Sequence, residues 1–150
     1  MTEKMTLKPI DILIVEDNGG DLRLIREVLN ESKISNQIFA VRDGEEALDF
    51  LFRRGKYSNA STPDLIILDL NLPKIDGREV LAEIKVDPEL KKIPVVVMTM
   101  SQSDEDILKV YSLHANCFVT KPIDLDQFIK VVKSIEDFWL TIVKLPSKNS

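Results

Sequence analysis

The chain has 150 residues, 44% of them hydrophobic, with a formal net charge of −5 and an isoelectric point near 5.0. That length carries one domain with a sizeable core and leaves no room for a second, and the acidic balance argues against a nucleic-acid-binding surface, since the basic pairs Arg53/Arg54 and Lys91/Lys92 stand isolated. The single cysteine, Cys117, excludes an internal disulfide, and with the single histidine, His114, it cannot make a Cys/His zinc site.

Taken in order, the amino terminus MTEKMTLKP has no apolar stretch fit for a signal peptide, and no later run approaches the ~18 residues of a membrane span. The expectation is a soluble, cytoplasmic protein. Ile10 to Val15 is an apolar run broken only by Asp11, and it ends in two adjacent acids, Glu16 and Asp17. It reads as a strand with carboxylates at its end. From Asp21 to Ser32, Leu22, Ile25 and Leu29 share one helical stripe, with Asn18 or Asp21 able to cap the start. Ile38 to Val41 is a short strand, and Gly44 to Gly55 reads as a helix with Ala47, Leu48 and Leu51 inward and a glycine stop. Lys56 to Pro63, rich in Ser, Asn and Pro, is a loop.

Leu65 to Leu68 are apolar on both alternations and run straight into Asp69, the pattern of a strand covered on both faces. Gly77 to Asp87 carries Val80, Leu81 and Ile84 at helical spacing, closed by Asp87-Pro88. Ile93 to Met98 is the next buried strand and leads to Thr99. Asp104 to His114 predicts a helix, Cys117 to Thr120 a strand ending at Lys121-Pro122, and Asp124 to about Trp139 a last helix burying Leu125, Phe128, Val132 and Ile135. Five strands alternating with five helices imply a parallel α/β sheet with right-handed crossovers and helices on both faces.

In such sheets ligands bind outside the carboxyl ends of the strands. On its own, Asp69 is equally a loop aspartate capping the next turn. The other strand ends decide between these readings, because they collect Glu16, Asp17, Asp69, Thr99 and Lys121. Three acids converging there would repel one another and raise each other's pKa, so the arrangement makes sense with a cation between them. Mg²⁺ fits, since it takes one or two carboxylates and fills its other sites with water or phosphate. An aspartate can attack a phosphoryl group to give an aspartyl phosphate, with Lys121 and Mg²⁺ neutralising charge and Thr99 and Lys121 each taking a phosphoryl oxygen.

Together VEDN at 15 to 18, DLNLPKIDG at 69 to 77, VVVMT at 95 to 99 and FVTKP at 118 to 122 resemble the receiver domain of two-component response regulators over about residues 10 to 138. The resemblance implies a flavodoxin-like sheet of order 2-1-3-4-5. It also implies phosphotransfer from a phosphohistidine of a sensor histidine kinase to Asp69. By position, Asp17 is then the direct Mg²⁺ ligand, Glu16 the second acid acting through water, and the main-chain carbonyl of Asn71 a further ligand. Thr99 is the switch hydroxyl, Phe118 the switch aromatic and Lys121 the phosphate-pairing amine, followed by a cis bond to Pro122. Taken singly, Phe118 reads as core and Lys121 as a surface lysine; Asp76-Gly77 reads as a turn and helix start, outside the site.

A phosphoryl group adds charge and acceptor oxygens. Thr99 is expected to move toward it, and Phe118 to fill the vacated space from an outward rotamer, altering the surface of the fourth helix, fifth strand and fifth helix. Two departures stand out: Met100, where the family usually has a small residue, narrows access to Asp69, and Gly19-Gly20 weakens helix initiation by ~1 kcal/mol per glycine. No output domain is expected: the receiver occupies residues 1 to 145, with a polar tail at 146 to 150. The apolar cluster Phe138, Trp139, Leu140, Ile142, Val143 and Leu145 either folds back on the core or forms an interface with a second copy or a kinase. That ending, the loop at Lys56 to Pro63 and DPELKKIP at 87 to 94 are similar to single-domain receivers paired with bacterial phytochrome-type kinases, which a homodimer through the carboxyl-terminal side would suit. The chain is thus expected to be a phosphoacceptor rather than an enzyme acting on free metabolites. The alternatives are an aspartate-nucleophile phosphatase, which needs an acid where Asn71 stands, and a phosphate-inert pseudo-receiver module.

Overall fold

The computed structural model describes residues 9–33, 35–100 and 117–144, with side chains as far as Asp137. Among them, β1 (Ile10–Val15), β2 (Asn36–Val41), β3 (Leu65–Asp69), β4 (Val95–Thr99) and β5 (Cys117–Thr120) form one parallel sheet in the order β2-β1-β3-β4-β5. This is the doubly wound, flavodoxin-like order. The described helices are α1 (Gly19–Asn30), α2 (Gly44–Leu51), α3 (Gly77–Val86) and α4 (Leu125–Lys144), with short 3₁₀ turns at Gly55–Tyr57 and Leu90–Lys92. The expected helix at Asp104 to His114 lies outside the described residues, as do the side chains of the apolar cluster from Phe138 to Leu145.

The strands are apolar throughout because each feeds two cores. Leu13 and Val15, Ile66 and Leu68, and Val95 and Val97 pack with α2 and α3 on one face. Ile12 and Ile14, Leu65 and Ile67, and Val96 and Met98 pack with α1 and α4 on the other. The two-residue period of a strand sorts neighbours to opposite sides. β3, central and wholly buried, is therefore the strand with least freedom to shift.

Several boundaries differ from expectation for local reasons. Helix α1 starts at Gly19, not Asp21, because the Asn18 side chain caps it by accepting the Asp21 N–H at 2.8 Å. Helix α2 ends at Leu51, before the expected glycine stop. Arg53 adopts a left-handed φ of 56°, its N–H reaching Phe50 O and the Arg54 N–H reaching Asp49 O, which is a Schellman closure made without glycine. Strand β4 begins at Val95, since Pro94 has no N–H for the ladder, and it includes Thr99. Helix α4 runs beyond Trp139 to Lys144. No helix among the described residues is long and apolar enough to cross a membrane.

Candidate functional site

With all five strands parallel, their carboxyl ends share one edge of the sheet, and the polar residues gather there. β1 runs into Glu16, fully buried, its N–H bonded to Val41 O of β2 at 3.0 Å; the next residue, Asp17, is exposed. β3 delivers Asp69, which is 2% exposed. β4 ends in buried Thr99, whose carbonyl accepts the Lys121 N–H at 2.7 Å, so β5 delivers Lys121 beside β3 and β4. The Lys121–Pro122 bond is cis, as expected.

Lys121 is the hub. Its Nζ donates to Asp69 Oδ2 at 2.9 Å and lies 2.7 Å from Glu16 Oε1 and 3.1 Å from Asp21 Oδ2. The other oxygen of Asp69, Oδ1, accepts the Asn71 N–H at 2.9 Å, and Glu16 Oε2 accepts the Asn18 N–H at 3.0 Å. Burial would lower the Lys121 pKa, but its contacts with Glu16, Asp69 and Asp21 outweigh that and hold the amine above its ordinary range. Burial pushes the Glu16 carboxyl up to about 7 despite the lysine, with the negative charge of Asp69 adding to the rise.

Glu16, Asp17 and Asp69 each place a carboxylate oxygen within 4.8 Å of the others. The close approach of Lys121 to Glu16 Oε1 is poorly aligned, and that buried oxygen lacks a hydrogen bond. Hard oxygen donors this close suit a small divalent cation. Beside them opens a cleft of about 450 Å³ whose walls include Asp17, Asp21, Asp69, Asn71, Met100 and Lys121. Met100 is 64% exposed there, and its N–H faces Asn71 Oδ1 at 3.5 Å.

Thr99 and Phe118 do not line this cleft. Thr99 is buried, and Phe118 is half-buried against the core under α2 and α3. Val97 pairs with Phe118 and Thr99 with Thr120 in the β4–β5 register, so by strand alternation Thr99 and Phe118 share a face of the sheet.

Two contributors were not read from the sequence. Asp21 reaches Lys121, which its helix position alone does not reveal. Gly77 is more than a turn residue: a Cβ there would lie 2.4 Å from Asp69 O and 2.5 Å from Leu70 Cα, so only glycine lets α3 start against the backbone of the strand end. Asp76 caps that helix through the Arg78 N–H and stays out of the site.

Residues 12–133 match the sequence profile of the response regulator receiver domain. The chain belongs to that family. It is 52% identical over 139 residues to the response regulator Rcp1 of Synechocystis sp., covering 93% of this chain and 95% of that one. The phosphorylated cyanobacterial phytochrome response regulator RcpA superposes with a TM-score of 0.80 at 54% identity, over 93% of this chain and all of that one. The Mn²⁺-bound form of Rcp1 gives the same TM-score at 52% identity with the same coverage. This receiver domain is thus related to the phytochrome response regulators, and its acidic cluster is compatible with Mg²⁺ binding.

Proposed function

We propose that this receiver takes a phosphoryl group from the phosphohistidine of a sensor histidine kinase, of the phytochrome type, onto Asp69. The observation that carries the reading is the Asp69 carboxylate itself, buried at a strand end with a main-chain N–H on one oxygen and the Lys121 amine on the other. Asp69 supplies the attacking oxygen. The P–O bond forms as the donor's P–N bond breaks, and the electron pair leaves on the imidazole nitrogen. Lys121 and the Asn71 N–H hold the carboxylate in place, so the step is mainly positioning and charge neutralisation.

Asp17, Asp69 and the main-chain carbonyl of Asn71 would hold Mg²⁺, with Glu16 as the second acid. Bound there, Mg²⁺ supplies the positive charge that lets a phosphoryl group approach several carboxylates. The phosphorylated state of RcpA and the Mn²⁺-bound state of Rcp1 support both parts of the reading by relationship.

The phosphorylated domain then signals through protein contacts. Thr99 moves toward the phosphoryl oxygens and Phe118 follows on the same sheet face, changing the surface around β5 and α4. A homodimer through the carboxyl-terminal side and a cytoplasmic setting complete the reading.

Asn71 stands where a phosphatase of this kind needs an acid, and its amide has no titratable proton to give a leaving group. The phosphoryl group should therefore persist. Incubation with labelled acetyl phosphate and Mg²⁺ tests this: stable label at Asp69 is the expected result. Steady phosphate release without label would make the chain a phosphatase, and neither label nor release would make it an inert module.

A further inference from the structure

We infer that Asp21 is a positioning residue for Lys121, holding the ammonium against the first turn of α1 so that its remaining donors are set for the phosphoryl group. The inference rests on the phosphoacceptor reading above and adds a residue to it.

The geometry is a closed ring of four contacts. Glu16 Oε1 lies 2.7 Å from Lys121 Nζ, and Nζ lies 3.1 Å from Asp21 Oδ2. The Asp21 N–H donates to Asn18 Oδ1 at 2.8 Å, and the Asn18 N–H donates to Glu16 Oε2 at 3.0 Å. The ring ties the end of β1, the cap of α1 and the end of β5 to one amine. Within it the carboxylates are not equivalent. Glu16 and Asp69 belong with Asp17 to the set close enough to share a cation, and Asp21 does not. When Glu16 and Asp69 serve a cation, Asp21 remains the carboxylate given to the lysine alone.

That division matters because lysine is a flexible four-carbon stem ending in three donors, with no preset direction. One donor fixed on Asp21 places the charge and leaves the others for oxygens on Asp69. An acid in the first turn also favours the helix dipole, but this explains only why α1 tolerates Asp21, not why its side chain meets Lys121. The dipole role predicts a change in melting alone.

The test uses the full chain at saturating Mg²⁺ and follows the rate of labelling by acetyl phosphate in wild type, Asp21→Ala and Asp21→Asn, with melting temperature and Mg²⁺ affinity measured alongside. Asp21→Ala should label roughly three- to tenfold more slowly, the range expected for one partly exposed charged contact. Its Mg²⁺ affinity should stay close to that of wild type. Asp21→Asn, whose amide oxygen can accept the same N–H, should recover most of the rate. Wild-type labelling in Asp21→Ala, or an Asp21→Asn rate as low as that of Asp21→Ala, overturns the role. Failure of wild type to label at all is a different result: it removes the phosphoacceptor reading, and this inference falls with it.

Discussion

The body of β3 and its carboxyl end are neighbours built on opposite principles. Leu65, Ile66, Ile67 and Leu68 are buried by alternation into two cores, where apolar contacts are many, non-directional and mutually supporting. Asp69 is buried almost as deeply, but its environment is a few directed contacts: one N–H, one ammonium and two nearby acids. Burying like charges opposes folding unless they are paired. The strand interior thus holds the stability that the strand end draws upon, and substitutions in the two regions should separate melting from phosphoryl chemistry.

The sharpest break of that division is Lys121→Ala. It leaves Glu16 and Asp69 buried without their shared cation, and the expected cost in metal-free protein is about 3–5 kcal/mol. Added Mg²⁺ should recover part of it by linkage, read as a larger Mg²⁺-dependent rise in Tm than wild type shows. Ile67→Ala tests the other side. It should cost about 2–5 kcal/mol by leaving a cavity, while the folded fraction still labels at the wild-type rate. If labelling collapses with Ile67→Ala at temperatures where the protein is folded, the two regions are not separable.

Glu16→Gln sharpens the electrostatic half with a smaller effect. The folded-state pKa of Glu16 is raised to about 7 from 4.5, chiefly by burial. The folded state therefore binds this proton more tightly than the unfolded chain. The stabilisation from protonation is full below 4.5 and is lost as pH rises through 7. Metal-free wild type should accordingly lose stability between pH 5 and 8 relative to Glu16→Gln, as compared by melting curves; identical pH slopes would remove the assignment. The smallest effect is expected at Met100, exposed at the cleft. Met100→Ala should change the phosphoryl half-life by a few-fold, and equal half-lives would show that this side chain does not limit access.

How far these features were legible follows the same line. The strand interiors were readable because a short run apolar on both alternations has few other homes, and the strand order then followed from resemblance. Glu16, Asp17, Asp69 and Lys121 were found because each ends such a run, and the structure brings them together. The sequence overstates the length of helix α2 because Gly55 looks like the stop, whereas Arg53 accepts the left-handed turn itself. In the sequence Asp21 reads only as a rival cap to Asn18, since its partner Lys121 lies at the far end of the chain and no periodicity links them. Gly77 reads as a turn residue in the sequence because close backbone approach leaves no mark there beyond the glycine itself.

The central claim is that Asp69 accepts the phosphoryl group. The most direct measurement loads a histidine kinase domain with labelled phosphate, adds wild type or Asp69→Asn in the presence of Mg²⁺, and follows label on each chain. Transfer to wild type, with loss of that transfer in an Asp69→Asn variant that melts normally, is the predicted result. Label moving onto Asp69→Asn as fast as onto wild type would contradict the account.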